Sequence, residues 1–232
     1  MRKLFVVATA VAFAAAPHAS MSQQTDNVDP VTVSPDHYKV VLENDDVRVV
    51  EYSLAPGERD NWHTHPPKVS YVVSGGSLRI TLADSTSFVT EDKTGGAVWM
   101  NAVPRHYAHN IGTTPVRIVL VEVKRLESQP VSKSEDPALV NPGSITVKLE
   151  TDSVRVMEAV LPPGFREKLH SHPGYVMYVL SGGKVRLHTR NGEARDSEFK
   201  AGAAFYSDPV THWAENTGTT SIKVMLVELR RR

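Results

Sequence analysis

The chain has 232 residues, with 26 basic and 26 acidic side chains and no cysteine. Its hydrophobic content of 41% and charged content of 22% are ordinary for a globular protein of one large or two small domains. The balanced charge argues against nucleic acid or an anionic membrane as a partner. The lack of cysteine excludes disulfides, thiolate metal sites and cysteine nucleophiles.

The N-terminus has the composition of an export signal. Two basic residues precede an apolar run at 4–16, which is too short to span a bilayer comfortably, and small residues up to Ala19 suit cleavage. The alternative is a buried helix, but the residues that follow are polar and form turns. We therefore predict a signal peptide at 1–19, a flexible segment at 20–35, and a secreted or periplasmic product without a membrane span.

The remainder of the chain is a tandem duplication. Residues 110–125 and 216–231 are identical at half of their positions, and matches continue upstream at an offset of 107, as from His63 to His170. A polar, proline-containing stretch separates the two copies, which is typical of a linker. The predicted boundaries are domain 1 at 36–126, a linker at 127–142 and domain 2 at 143–232.

Each copy has the pattern of short strands. In the first copy, β-branched or alternating runs occupy 47–54, 69–73, 78–82 and 116–123, and glycine turns end several of them. No stretch has a convincing helical period. The pattern predicts an all-β fold, either a sandwich or a small barrel, in each half.

Six histidines lie at matching positions in the two copies. Residues i and i+2 of a strand point to one face, so each His-x-His pair can project into a barrel interior. A third histidine follows in each copy. A lone histidine or a single pair is usually structural, but the repeated triplet predicts a metal that offsets the burial of three imidazoles. The predicted ligands are His63, His65 and His106 in domain 1, and His170, His172 and His212 in domain 2.

The spacing of these residues resembles the two signature motifs of the cupin superfamily. In the first copy Gly57-x5-His63-Thr-His65 is followed by Gly75 and then by His106-x3-Asn110. The second copy repeats it as Gly164-x5-His170-Ser-His172, Gly182 and His212-x3-Asn216. The resemblance implies a bicupin: two tandem double-stranded β-helix (jelly-roll) barrels, each of which binds a metal through its histidines.

The family's first motif normally supplies a glutamate ligand after the second histidine, and this chain has none at that place. Lys68 and Tyr175 stand there instead. We therefore expect three-histidine sites with open coordination positions, which are typical of catalytic rather than structural metals. Imidazole ligands suit Fe, Cu, Zn or Ni, with up to two ions per chain.

Several functions fit this pattern. We expect a metal-dependent, dioxygenase-like oxidoreductase that acts on a small organic substrate, with Lys68 and Tyr175 as candidate catalytic residues. Either residue could instead be a solvent-facing turn residue. The alternatives are a non-catalytic periplasmic cupin that binds metal or a small ligand, and a metal-assisted isomerase or lyase. Cupins often pair barrels through their sheets, so the resemblance implies that the two halves can pair within one chain, and we expect a monomer or a homodimer.

Overall fold

A computed structural model describes residues 27–126 and 132–230. The signal peptide predicted at 1–19 lies outside the described residues. Within the described part of the chain, no helix has the length and apolar character needed to cross a membrane.

The first half of the described chain is an antiparallel barrel of two sheets. Its elements are α1 (Pro30–Val33), β1 (Tyr38–Glu43), β2 (Val47–Leu54), β3 (His63–His65), β4 (Lys68–Ser74), β5 (Gly76–Leu82), β6 (Ser87–Asp92), β7 (Ala97–Met100), β8 (Val103–Asn110) and β9 (Val116–Val123). The larger sheet has the order β1-β2-β9-β4-β7, and the smaller sheet has the order β3-β8-β5-β6.

The second half repeats this topology. After a 3₁₀ turn at Lys133–Glu135, its elements are α2 (Pro137–Val140), β10 (Ile145–Glu150), β11 (Val154–Leu161), β12 (His170–His172), β13 (Tyr175–Ser181), β14 (Gly183–Thr189), β15 (Ala194–Phe199), β16 (Ala204–Ser207), β17 (Val210–Asn216) and β18 (Ile222–Leu229). The sheets have the orders β10-β11-β18-β13-β16 and β12-β17-β14-β15. The predicted all-β fold with two tandem jelly-roll barrels is confirmed.

Two glycines of the predicted motifs, Gly75 and Gly182, are required because the backbone of another strand passes close to them. A Cβ atom on Gly75 would lie 2.1 Å from the carbonyl oxygen of Asp92, and one on Gly182 would lie 2.2 Å from that of Phe199. Only a residue without a side chain fits between these strands. The turn before each of β5 and β14 can therefore bring the strand back across the barrel.

The two barrels pack against each other through their larger sheets. On β2, Val47 and Val49 belong to a core cluster that contains residues of both barrels, whereas Val50 and Tyr52 face the interior of the first barrel. This alternation follows from the two-residue period of a strand. The strands are therefore buried on both faces, which explains their nearly continuous apolar sequence.

Two matching hydrogen bonds cross the contact between the barrels. The Tyr71 hydroxyl donates to Glu158 of the other barrel, and the Tyr178 hydroxyl donates to Glu51, both at 2.5 Å. Tyr71 and Tyr178 correspond in the repeat, as do the two glutamates. The contact therefore has an approximate two-fold symmetry, with each half giving the same pair of groups.

Two predicted connecting segments differ from expectation. Part of the segment expected to be flexible, 20–35, forms α1, and part of the predicted linker, 127–142, forms α2. Asp29 and Asp136 cap these helices with their carboxylates, and a proline follows each of them. α1 packs against β1 and β3, and α2 packs against β10 and β12. Each helix therefore belongs to the barrel that follows it.

Candidate metal centres

The three histidines of domain 1 meet inside the first barrel. His63 and His65 lie on β3, and the β3–β8 pairing places His63 directly opposite His106. The ring centroids are 4.3 Å apart for His63 and His106 and 4.7 Å apart for His63 and His65. One ligand nitrogen from each histidine lies within 4.8 Å of the other two. The predicted triplet therefore forms a single group that could hold one ion.

Domain 2 contains the same group. His170 lies directly opposite His212 in the β12–β17 pairing, and His172 lies on the same face of β12. The ring centroids are 4.8 Å apart for His170 and His212 and 4.9 Å apart for His170 and His172. The ligand nitrogens again lie within 4.8 Å of one another.

Burial keeps these imidazoles in the neutral form that binds metals. Loss of solvent lowers the pKa of His63, His106 and His170 to about 4 and that of His172 to about 3. The Nδ1 atoms of His63, His106 and His170 each lie within 2.8 Å of a backbone carbonyl oxygen. Because a carbonyl oxygen only accepts, Nδ1 carries the proton there and Nε2 is free to coordinate.

A buried carboxylate supports one histidine in each domain. Glu122 Oε1 lies 3.4 Å from His65 Nδ1, and Glu228 Oε1 lies 2.9 Å from His172 Nδ1. These glutamates occupy corresponding positions on β9 and β18, and they are only 2% and 1% exposed. A carboxylate that accepts from the outer nitrogen fixes the ring orientation and raises the basicity of the metal-facing nitrogen.

Arginines in turn hold these carboxylates, and the two domains differ in detail. In domain 1, Arg48 Nε donates to Glu122 at 2.5 Å, and Arg48 Nη1 also donates to Asp29 at 2.7 Å. In domain 2, Arg155 Nη1 donates to Asp136 at 2.6 Å but lies 4.0 Å from Glu228. Glu122 is thus bound more tightly to its arginine, and Glu228 is bound more tightly to its histidine.

The domain 1 triplet is surrounded by polar and aromatic side chains. The buried Tyr38 hydroxyl donates to Asp60 at 2.8 Å, and its oxygen lies 3.1 Å from His63 Nε2. Tyr52 stacks on Tyr38 with a centroid distance of 4.6 Å. Burial raises the pKa of both tyrosines well above the ordinary value, and nearby Asp60 raises each further.

The domain 2 triplet instead lies at a large, mostly apolar cavity of about 780 Å³. Ile145 and Ala159 hold the positions of Tyr38 and Tyr52, as the equivalent β10–β11 and β1–β2 registers show. The cavity is lined by the three histidines and largely by apolar side chains, among them Leu161, Val185, Leu187, Phe199, Phe205 and Val210. Glu167 also lines it, and burial raises the pKa of this carboxyl to about 7.

The two candidate catalytic residues both lie inside a barrel rather than at a solvent-facing turn. Lys68 is 5% exposed, and its Nζ donates to Ser70 at 2.9 Å. Burial lowers the pKa of Lys68 to about 8. Tyr175 is 7% exposed and packs on His172 with a centroid distance of 4.6 Å. Tyr175 therefore lies beside a histidine of domain 2, and Lys68 is close enough to the histidines of domain 1 for its charge to contribute to lowering their pKa values.

Sequence reasoning did not identify the residues that support the triplets. A detectable signal was an acidic residue repeated within an apolar strand, at Glu122 and Glu228. The Asp-Pro pairs beginning at Asp29 and Asp136 repeat as well, at an offset of 107 residues. No comparable repeat marks Tyr38, because its counterpart in the second copy is Ile145.

Comparisons with known proteins agree with this architecture. The chain matches no model of a protein family, and no curated protein matches it by sequence. In structure it is similar to AerE from Microcystis aeruginosa, with a TM-score of 0.62 and 16% identity over 88% of this chain and 97% of that one.

Oxalate decarboxylases are also structural neighbours. A variant of the Bacillus subtilis enzyme in which one tryptophan is replaced by tyrosine gives a TM-score of 0.60 at 16% identity, over 83% of this chain and 72% of that one. The Lactobacillus farciminis enzyme, in a formate complex, gives a TM-score of 0.57 at 15% identity, over 82% and 78%. At these identities the similarity concerns the fold.

Proposed function

We propose that this chain, which is a bicupin in its fold and has two three-histidine groups, is an exported metalloenzyme that oxidises a small organic substrate in domain 2. The observation that carries this proposal is the mostly apolar cavity of about 780 Å³, whose lining includes His170, His172 and His212. A concave apolar space with a few polar groups is the usual form of a small-molecule site.

The donor set fits a divalent transition metal. Three neutral imidazoles suit Fe, Cu, Zn or Ni, and the lack of a carboxylate ligand from the motif leaves positions free for another molecule. Such an ion, when bound, supplies Lewis acidity to a substrate and, if it is iron or copper, electron transfer to dioxygen. For a dioxygenase reaction, both atoms of O₂ enter the organic product.

The side chains of domain 2 determine which substrates fit. The apolar wall suits a substrate with a hydrocarbon or aromatic body, which loses contact with water on binding. The Tyr175 hydroxyl and the Glu167 carboxyl are the groups we propose to orient its polar end and to move a proton. In domain 1, Lys68 is the corresponding candidate, but Tyr38 and Tyr52 take up the space in which a substrate would lie.

A metal-assisted lyase is the second candidate. Glu167 favours it, because a carboxyl with a pKa of about 7 can both accept and donate a proton near neutral pH. The neighbouring oxalate decarboxylases are of this reaction type, and one of them is described by its Mn(II) centres. The mostly apolar wall of the cavity favours a larger and less charged substrate than oxalate.

Metal content tests the first step of the proposal. The purified mature protein, loaded separately with Fe(II), Cu(II), Zn(II) or Ni(II), is expected to bind two ions per chain. His63→Ala and His170→Ala are each expected to bind one ion, and the matched control His109→Ala, outside both triplets, is expected to bind two. A wild-type protein that binds none of these metals contradicts the proposal.

Oxygen consumption tests the reaction. Phenols, diketones and sugars are incubated with the loaded protein, and ¹⁸O₂ incorporation into the product is measured. We expect His170→Ala to lose turnover and His109→Ala to keep it. Release of CO₂ from a carboxylic acid without O₂ consumption would instead support the lyase. Metal binding without turnover of any compound would favour a binding protein.

Export is a separate part of the proposal. The apolar run at 4–16 and the small residues after it support cleavage near Ala19. N-terminal sequencing of the protein recovered outside the cytoplasm is expected to begin at about residue 20. Recovery of the chain from the cytoplasm with residues 1–19 intact would contradict export.

A further inference from the structure

The hydroxyl of Tyr38 stands among the histidines of domain 1 in a way that no group of domain 2 repeats within the described residues. Its oxygen lies 3.1 Å from His63 Nε2, and His63 Nε2 lies 3.1 Å from His65 Nε2. The tyrosine oxygen is therefore as close to a metal-facing nitrogen as the two histidines of the pair are to each other. Tyr38 itself is 4% exposed.

This spacing is that of two donor atoms on one ion. Donors roughly 2.1 Å from a metal are about 3.0 Å apart at a right angle and about 3.4 Å apart at a tetrahedral angle. The 3.1 Å separation between the tyrosine oxygen and His63 Nε2 falls within that range. The hydroxyl oxygen therefore stands at the distance expected of a second donor atom on an ion that His63 binds.

Other side chains hold the hydroxyl in this place. Asp60 accepts its hydrogen at 2.8 Å and is itself fixed by the Ala108 backbone N–H, which donates to Asp60 at 2.7 Å. Tyr52 stacks against the ring, and the β1–β2 register sets Tyr52 directly opposite Tyr38. A donor oriented by a hydrogen-bonded carboxylate is the usual arrangement around a protein metal site.

Domain 2 differs at each of these places. Ile145 and Ala159, at the places of the two tyrosines, provide no donor atom, and the cavity lies on that side of the histidines. Glu167, at the place of Asp60, accepts from the Ala214 backbone N–H at 3.1 Å. A carboxylate is therefore present in both domains, although domain 2 has no tyrosine for it to hold.

We infer that Tyr38 supplies a fourth ligand, a phenolic oxygen, to a metal bound by His63, His65 and His106, so that domain 1 has a closed site and domain 2 an open one. The inference rests on the proposed metal binding. A site with four protein ligands is typical of metals that stabilise a fold, and a three-ligand site keeps a position for substrate. Domain 1 therefore binds its ion more firmly and does not take a substrate.

Cobalt spectra of the isolated sites test the inference. Co(II) is loaded into His170→Ala, which keeps only the domain 1 site, and the visible absorption and the dissociation constant are measured with and without Tyr38→Phe. We expect a changed spectrum and at least about tenfold weaker binding, since even a group that only supports a ligand contributes about 10–100-fold. Tyr52→Phe, which keeps the stacked ring and removes only a hydroxyl, is the matched control and is expected to change both quantities much less than Tyr38→Phe does.

An external ligand tests the second part of the inference, which is that the domain 1 site is closed and the domain 2 site is open. Azide is expected to alter the Co(II) spectrum of His63→Ala, which keeps the open domain 2 site, and to leave that of His170→Ala unchanged. An unchanged domain 1 spectrum in Tyr38→Phe, or an equal change in Tyr52→Phe, would overturn the inference. The Tyr38→Phe and Tyr52→Phe spectra are also compared in the otherwise wild-type two-site protein, in case His170→Ala fails to fold. Failure of the proposed metal binding is distinct, because the wild-type protein would then bind no cobalt.

Discussion

The two barrels hold their histidines alike and surround them differently. Each has a His-x-His strand facing a third histidine, and each supports one ring with a buried glutamate on the strand that ends the barrel. The contrast is on the first two strands of each barrel, where Tyr38 and Tyr52 correspond to Ile145 and Ala159. The histidines and the residues that decide access to the metal are therefore carried by different strands.

This separation explains how two duplicated domains can keep the same histidines and yet differ in their access for a substrate. A substitution on β10 or β11 changes the space above the metal without moving the strands that carry the histidines, because those strands belong to the other sheet of the barrel. Ala159 lines the cavity of domain 2 at the place where domain 1 has the ring of Tyr52, and Ile145 stands opposite Ala159 at the place of Tyr38. Exchange of those residues should therefore transfer the property from one domain to the other.

The largest effect is expected when domain 2 is given the aromatic residues of domain 1. In Ile145→Tyr/Ala159→Tyr, the rings would enter the cavity of about 780 Å³ and take the place of the substrate. We expect turnover to fall about 100-fold or more, since small misplacements at a reacting centre already cost about that much. Metal analysis should still find two ions per chain.

A control substitution on the same strand distinguishes blocking of the cavity from a general loss of the folded structure. Val147→Tyr adds a ring on β10 at a position that is 36% exposed, and it is expected to leave turnover and metal content near the wild-type values. Unimpaired turnover in the double variant would place the substrate elsewhere and would remove the main difference between the domains.

A smaller difference is expected between the two supporting glutamates. Glu228 accepts from His172 Nδ1 at 2.9 Å, whereas Glu122 lies 3.4 Å from His65 Nδ1 and is bound by Arg48 at 2.5 Å. We expect Glu228→Gln to weaken metal binding in domain 2 by about 10–100-fold. Glu122→Gln is expected to weaken binding in domain 1 by less.

Calorimetric titration of Zn(II) into each variant, with the other triplet removed by a histidine substitution, measures these affinities. Equal losses in the two domains would mean that the shorter His172 contact has no consequence for binding. Thermal unfolding of the metal-free variants separates a loss of affinity from a loss of the folded state.

The histidine groups could be predicted because a strand has a fixed period of two and the duplication supplied a second copy. The side chains that surround these histidines could not be predicted in the same way. On β2 both faces are buried, one in the barrel and one between barrels, so the apolar pattern does not tell which face Tyr52 occupies. Tyr38 lies on β1, whose sequence has no pattern that marks it as a strand beside the metal.

The helices α1 and α2 show a second limit of the sequence analysis. Their surroundings are rich in polar and turn-forming residues, which indicated a flexible segment and a linker. The structure attaches them through Asp29 to Arg48 and through Asp136 to Arg155, residues that are 19 positions apart in each copy. An ion pair over that distance depends on the folded sheet, so local composition could not predict it.

The smallest difference is expected at the contact between barrels, where the two halves are most alike. Tyr71 donates to Glu158 and Tyr178 donates to Glu51, and both tyrosines are at most 2% exposed. Removal of a buried hydrogen bond to a charged group costs about 1.5–3 kcal/mol. Tyr71→Phe and Tyr178→Phe are each expected to lower the free energy of unfolding by about that amount.

The other partners of Glu158 and Glu51 predict which of the two tyrosines contributes more to the free energy of unfolding. Glu158 also lies 3.0 Å from Lys223 and 3.6 Å from Lys148, so it keeps ionic partners when Tyr71 is changed. The structure assigns Glu51 a hydrogen bond from Tyr178 and no ion pair within the described residues. Tyr178→Phe should therefore cost more than Tyr71→Phe, by about 0.5–1 kcal/mol in urea unfolding of the metal-free protein. The reverse order would mean that the lysines do not compensate Glu158, and the contact would then be less symmetric than its sequence repeat.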